Sequence, residues 1–253
     1  MSESRAVSVE RDLAPALRAR VCQAVQVLER VEAELLPAAL ASSFSAEDMV
    51  LLDLIRRHAP GIGVFTLDTG RLPAETYALQ QQVLERYGPV VRTYFPNPAE
   101  VEGFVAHYGA NGFYHGIEAR RACCHARKVA PLQRALAGQR AWLTGMRRAQ
   151  AVTRQEVVVE GFDEHHGLVK VNPLAEWRED DVWAYLRSRR VPYNELYDQG
   201  YRSIGCAPCT RPVAPGEDAR AGRWWWEASG QRECGLHRAP AGATGWLKCA
   251  AKP

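Results

Sequence analysis

The chain has 253 residues, 47% of them apolar, which is enough for one large core or one core with an appendage. A net charge of +3 is too small for bulk attraction to nucleic acid, so only local basic clusters can carry that function. The opening MSESRAVSVERDLAPALRAR has no apolar stretch of a secretory signal, no run is long enough to span a membrane, and seven cysteines without an export signal suit metal binding or catalysis; a cytoplasmic protein is expected.

Residues 11–36 place apolar and charged side chains at helical spacing, and Pro37 ends the stretch. ALASSFS (39–45) reads as a short strand running into a polar loop. Glu47 to Arg57 has the apolar spacing of a helix. Gly61 to Asp68 is a second buried-type strand, stopped by Thr69-Gly70. Pro73 to Tyr87 is helical, with Pro73 suited to a first-turn position. Val90 to Phe95 is a third strand, Ala141 to Gly145 a fourth and Gly167 to Val171 a fifth. Strands alternating with helices predict an α/β fold with a mostly parallel sheet, and in such sheets the ligand sits beyond the carboxyl ends of the strands. Those ends carry Ser42-Ser43-Phe44-Ser45, Asp68-Thr69-Gly70-Arg71 and Gly145-Met146-Arg147-Arg148. After about residue 200 the periodicity fades. The expected organisation is a nucleotide-binding body over 1–200, including the N-terminal helix, and an irregular segment over 201–253 whose tail after Gly230 is expected to be mobile.

Four of the cysteines fall in two pairs, Cys123-Cys124 and Cys206-Ala207-Pro208-Cys209. Four thiolates serve either zinc or an iron–sulfur cluster. Zinc sites usually separate paired thiols by two to four residues, whereas a cubane offers separate irons to neighbouring thiolates, so the adjacent pair favours the cluster. The plainer alternative is that Cys123 and Cys124 are small buried residues of a helix starting near Arg120. Lys128 lies one turn beyond Cys124, where a cation would offset thiolate charge.

Ser42, Ser43 and Ser45 follow a strand and precede a helix, where hydroxyls and backbone N–H groups suit a phosphate; a helix cap at Ser45 explains the same residues. The loop lacks the glycines and lysine of a Walker motif. Arg147 and Arg148 are a second anion candidate or solvated surface charges. Arg220 and Arg223 share a face if their segment is helical. The run Trp224-Trp225-Trp226 reads as packing, with nucleic-acid stacking the minority reading. A fifth cysteine, Cys234, stands outside the pairs in Glu-Cys-Gly-Leu-His, with Arg232 and His237 nearby. Cationic neighbours and a glycine give a thiol the charge and access of a nucleophile; a spare surface thiol, like Cys22 or Cys249, is the alternative.

Taken together, SSFSAED, LDTGR, ACCHARK, GMRR, KVNPLAEW, YDQGYRSIGCAPCT, GEDARAGRWWWE and ECGLH resemble the assimilatory adenylyl-sulfate and phosphoadenylyl-sulfate reductases, in that family's order from about Leu36 to His237. The cysteine pairs look like the branch that carries a [4Fe–4S] cluster and prefers adenylyl sulfate. The resemblance implies a Rossmann-like, adenine-nucleotide α-hydrolase fold and reductive cleavage of adenylyl sulfate to sulfite and AMP through an S-sulfocysteine, with thioredoxin or a glutaredoxin-like protein as reductant. It implies Cys123, Cys124, Cys206 and Cys209 as cluster ligands and Cys234 as nucleophile. Ser42, Ser43 and Ser45 would line the phosphosulfate pocket. Leu67, Asp68, Thr69, Gly70 and Arg71 would border the nucleotide, with Gly145 beside it. Lys128, Arg220 and Arg223 would face the sulfate, and Arg147, Arg148 and His237 complete the implied substrate set. No nucleic-acid or membrane partner is implied; a homo-oligomer is left open. Competing readings are a tRNA-thiolation enzyme of the related pyrophosphatase fold, which needs an ATP loop with glycines, and a zinc-dependent nucleic-acid module, which gives Cys234 no role.

Overall fold

The computed structural model describes residues 13–150 and 156–227. Helix α1 (Pro15–Glu34) buries Leu17, Val21, Ala24, Val25, Leu28 and Val31, one stripe at three- and four-residue spacing. Strand β1 (Ala38–Ser42) follows, then α2 (Ala46–His58), β2 (Gly63–Leu67), α3 (Ala74–Tyr87) and β3 (Val91–Tyr94). Pro73 stands at the N-cap of α3, one position earlier than the first turn expected of it, and its carbonyl accepts from the Thr76 N–H at 3.0 Å.

Helix α4 (Pro98–Tyr108) leads to α5 (Ile117–Cys124), a π-helical turn over His125–Val129 and α6 (Ala130–Leu136). Strand β4 (Ala141–Leu143), the hairpin of β5 (Glu160–Asp163) and β6 (Leu168–Val171), and α7 (Glu179–Arg189) complete the body. Three of these, α4, α7 and β5, fill stretches for which the sequence pattern predicts no element. Their apolar signal is thin: α4 buries only Phe104 and α7 only Val182, Tyr185 and Leu186, while Phe162 on β5 is largely exposed.

The sheet order is β3-β2-β1-β4-β6-β5, parallel throughout except for β5 against β6. The chain starts at β1, runs outward to β3 and then restarts on the other side at β4. That reversal opens a crevice at the carboxyl ends of β1 and β4. One face of the sheet packs on the large core around Leu28, Leu40, Met49, Leu52 and Tyr185; the other packs Ala39, Phe65 and Trp142 on Leu132 and Leu136 of α6. A third apolar cluster holds Phe104, Phe113, Trp224 and the four paired cysteines. Residues 201–227 are turns and bends with one 3-10 turn at Ala207–Cys209 and a bridge between Thr210 and Arg223. They dock on the body through the Ala207 N–H to the Arg71 carbonyl, 2.8 Å, and the Tyr114 hydroxyl to the Pro208 carbonyl, 2.9 Å. Among the described residues no helix is long and apolar enough to cross a membrane.

Candidate active site

A cavity of about 220 Å³ lies beyond the carboxyl ends of β1, β2 and β4. Ser42, Ser43 and Ser45 line it from β1, Leu67 and Thr69 from β2, and Gly145 from β4. Lys128 reaches it from the π-helical turn, and Arg220 and Arg223 from the C-terminal segment. Arg220 and Arg223 share this wall without a helix between them; their stretch is a series of turns, with the Arg223 N–H donating to the Arg220 carbonyl at 2.9 Å.

The serine loop is organised around a residue the sequence reading passed over, Asp48. Its carboxylate accepts from the Ser43 N–H at 2.7 Å, the Ser43 hydroxyl at 2.8 Å and the Ser45 N–H at 3.4 Å. Ser45 in turn caps α2, its hydroxyl oxygen accepting from the Asp48 N–H at 3.3 Å. The Phe44 N–H goes to the Ser42 hydroxyl at 3.2 Å, and the Ala46 N–H to the Tyr197 hydroxyl at 3.1 Å. The backbone donors expected to meet a phosphate therefore have acceptors within the protein. The Ser45 side chain also hydrogen-bonds the Asp48 carboxylate, so what remains for a ligand is the hydroxyl hydrogen of Ser42, which has no acceptor among the described residues. Phe44 holds the loop in a left-handed conformation, φ +58°, with its ring buried. Burial, reinforced by Glu47 and opposed by the Ser43 bonds, lifts the Asp48 carboxyl to about 6. Gly145 is required here by space: a Cβ would stand 2.7 Å from both Asp48 Oδ1 and Glu47 Cβ.

Five expected site residues face elsewhere. Asp68 closes the turn after β2, accepting from the Gly70 N–H at 2.8 Å and the Tyr77 hydroxyl at 2.9 Å, and Gly70 supplies the positive φ of +68° the turn needs. Arg71 points to the cysteines, lying 5.0 Å from the Phe113 ring centre and bonding the carbonyl of Ala110. Arg147 is buried against Glu47, with Nη2 2.7 Å from Oε1. Arg148 pairs with Glu176 and donates to the Val157 carbonyl at 2.7 Å. These two arginines find carboxylate partners on α2 and before α7 that the local motif GMRR does not contain. Tyr197, which also lines the cavity, was invisible for the same reason, since it reaches it from a distant element; Glu47 lines it from the first turn of α2, directly after the serine loop.

Cys123, Cys124, Cys206 and Cys209 line a second, smaller cavity with Arg71, Arg127 and Lys128; all four are free thiols. The π-helical turn after Cys124 widens the helix where Arg127 and Lys128 must both approach this wall. Burial raises the Cys123 thiol, against the pull of Arg127. Burial and then Cys206 push Cys209 up to about 12. Cys206 goes the other way: burial raises it, but Lys128, the Thr69 hydroxyl 3.3 Å away and Arg223 outweigh burial and lower it. Among the described residues no three His, Cys, Asp or Glu side chains converge as one metal ion requires. Three residues of this cavity carry buried N–H groups with no acceptor among the described residues: Arg127 Nε, Arg223 Nε and Trp224 Nε1. Soft thiolates on a dry wall studded with unmatched donors fit a sulfur-rich anionic cluster better than a lone zinc ion. Cys234 and His237 lie outside the described residues.

The two cavities share Lys128, Arg223 and Trp224 as a common wall. Residues 37–212 match the phosphoadenosine phosphosulfate reductase domain. The chain is 51% identical to the adenosine 5′-phosphosulfate reductase of Allochromatium vinosum over 238 residues, 94% of this chain and 92% of that one. It is 50% identical to the enzyme of the same name from Burkholderia cepacia over 225 residues, 89% and 90% of the two chains. Among solved structures, phosphoadenylyl-sulfate reductase from Candida auris in its phosphate complex matches with TM-score 0.65 and 28% identity over 84% of this chain and 98% of that chain. FMN adenylyltransferase from Candida glabrata, with TM-score 0.57 and 13% identity over 94% and 82%, shares the fold alone. A strand order that reverses between β1 and β4, a serine loop at that reversal and this depth of identity lead to one conclusion: the chain belongs to the adenosine 5′-phosphosulfate reductase family.

Proposed function

We propose that the chain reduces adenylyl sulfate to sulfite and AMP, as a cytoplasmic enzyme of sulfate assimilation. The observation that carries this reading is the presence of Lys128, Arg220 and Arg223 in the lining of the nucleotide-sized cavity, where a dianionic group needs cations to be approached by a thiolate. The AMP portion lies along Leu67, Thr69 and Gly145, and the serine hydroxyls face the phosphosulfate.

The Cys234 thiolate attacks the sulfate sulfur. The bond between sulfur and the bridging oxygen breaks, and AMP leaves with that oxygen and its electron pair, giving an S-sulfocysteine. A thiolate of thioredoxin, or of a glutaredoxin-like protein, then attacks Cys234 Sγ. Sulfite departs with the electron pair of the broken S–S bond, and the reductant's second thiol resolves the mixed disulfide and frees Cys234. Lys128, Arg220 and Arg223 neutralise the oxygens that gain charge as AMP leaves. Cys123, Cys124, Cys206 and Cys209 would hold a [4Fe–4S] cluster, which when bound would order this wall and add a fixed charge beside the sulfate.

The test is sulfite release from adenylyl sulfate and from its 3′-phosphorylated form, with thioredoxin, by the parent and by Cys234→Ser. The parent is expected to turn over adenylyl sulfate in preference. Cys234→Ser is expected to bind it and release no sulfite. Turnover by the serine variant near the parent's would remove the nucleophile. Protein isolated without oxygen should carry about four irons and four sulfides per chain; stoichiometric zinc without sulfide would remove the cluster.

A further inference from the structure

Arg120 is an arginine with no solvent exposure, three residues before the cysteine pair on α5. Its guanidinium grips Glu227 with two parallel bonds, Nε to Oε1 at 2.9 Å and Nη2 to Oε2 at 2.7 Å. Glu227 is buried as well, and it lies in the C-terminal segment seven residues ahead of Cys234. Beside the pair sits Trp224. The Arg120 guanidinium carbon is 4.8 Å from the centre of its ring, and that of Arg223 is 4.6 Å from the same ring. Trp224 is fully buried in a left-handed backbone conformation, φ +42°. Its N–H donates to the Cys209 carbonyl at 3.1 Å and its carbonyl accepts from the Glu227 N–H at 2.9 Å.

A non-glycine residue stays left-handed only where its surroundings over-determine it. Here the determinants are the two guanidiniums, the Cys209 carbonyl and the anchored Glu227. A buried ion pair is a poor way to gain stability, because apolar residues of the same volume do as well or better. What a bidentate pair supplies and an apolar pair does not is direction. The line of contact runs from the helix of Cys123 and Cys124, through Arg120 and Trp224, to Arg223 on the wall of the larger cavity.

We propose that Arg120 and Glu227 form a positioning pair that sets Trp224, and through it the orientation of Arg223 and the exit of the chain toward Cys234. Neither residue touches the substrate cavity. The pair links the cysteine-bearing helix to the cation at the sulfate end. Its effect on turnover rests on the sulfate-reduction reading above; its effect on the geometry of the segment does not.

Two variants separate positioning from simple support. Glu227→Gln keeps the shape and removes the charge. The double variant Arg120→Met with Glu227→Leu replaces the pair by apolar volume. In both, iron and sulfide per chain and the Kd for AMP should stay within about two-fold of the parent. The melting temperature of the double variant should equal or exceed the parent's. Sulfite release from bound adenylyl sulfate should nevertheless fall ten- to a hundred-fold, and alkylation of Cys234 by iodoacetamide, read by peptide mass spectrometry, should quicken at least five-fold. Parent-like turnover in the stable double variant would overturn the proposal, as would a loss of turnover that merely follows lost iron. If the parent itself releases no sulfite, the functional reading fails while the pair is still judged: an unchanged alkylation rate in the double variant overturns it on that arm alone.

Discussion

Asp48 shows how one side chain organises a site. Its carboxylate collects two N–H groups and a hydroxyl of the serine loop, yet burial and the adjacent Glu47 hold its pKa at about 6. Folding therefore favours its protonated form. The stability that this proton contributes is complete below the ordinary aspartate pKa of 3.8 and is lost as the pH rises through about 6. Asp48→Asn does not titrate, so the parent's stability relative to that variant should fall by about 2 kcal/mol between pH 4 and 7. Urea unfolding of both proteins at both pH values measures it; a difference that stays flat means that Asp48 ionises normally. The sequence showed three serines between a strand and a helix, and those three residues do line the cavity. It did not show that Asp48 takes up their backbone donors, because an acceptor three residues into a helix reads as an ordinary capping partner.

Helices in this molecule are tied to each other by buried polar hubs as well as by apolar packing. Asp53 on α2 accepts from the Tyr87 hydroxyl of α3 at 2.8 Å and from the Tyr185 hydroxyl of α7 at 2.7 Å. Arg57 stands 3.6 Å from its carboxylate and Arg86 3.8 Å. Burial, and then the negative Asp53, raise both tyrosines, so each remains a donor. Asp53→Ala would strand two hydroxyls and uncover two cations, at a cost of about 3–5 kcal/mol in urea unfolding. The AMP affinity of the folded fraction should not change, since Asp53 does not line the cavity. A loss below about 1 kcal/mol would mean that the hub is solvated. The central strands β1, β2, β4 and β6 were legible because parallel strands covered on both faces read as apolar runs. Helix α7 was not, because EDDVWAYLRSR buries three side chains and draws its place from Tyr185 and Asp53, a contact 132 residues apart. The π-helical turn left no mark at all, since ACCHARK has unbroken helical propensity.

On the scale of the whole chain, an open sheet sets a crevice at its reversal point, and an irregular C-terminal segment closes that crevice from the side. The order of the elements and the two cysteine pairs could be read in the sequence. The division of the cations could not: Arg71 serves the cysteines, Arg147 and Arg148 serve carboxylates, and Arg220 and Arg223 serve the larger cavity, although all five stand in motifs of similar appearance. The common wall of Lys128 and Arg223 makes the two cavities a pair of linked binding equilibria. Negative charge on either side draws on the same two cations, so each must weaken the other's hold by one and the same factor. Adding an electron to a cluster on the cysteine side should loosen adenylyl sulfate. Bound adenylyl sulfate should in turn make that reduction harder, by a shift of midpoint potential equivalent to the ratio of the two dissociation constants. Potentiometric titration with and without the nucleotide, set beside its Kd for the two oxidation states, checks both halves of this thermodynamic cycle. On that cycle, substrate occupancy and the charge held by the four cysteines would be read against each other through two shared side chains, Lys128 and Arg223.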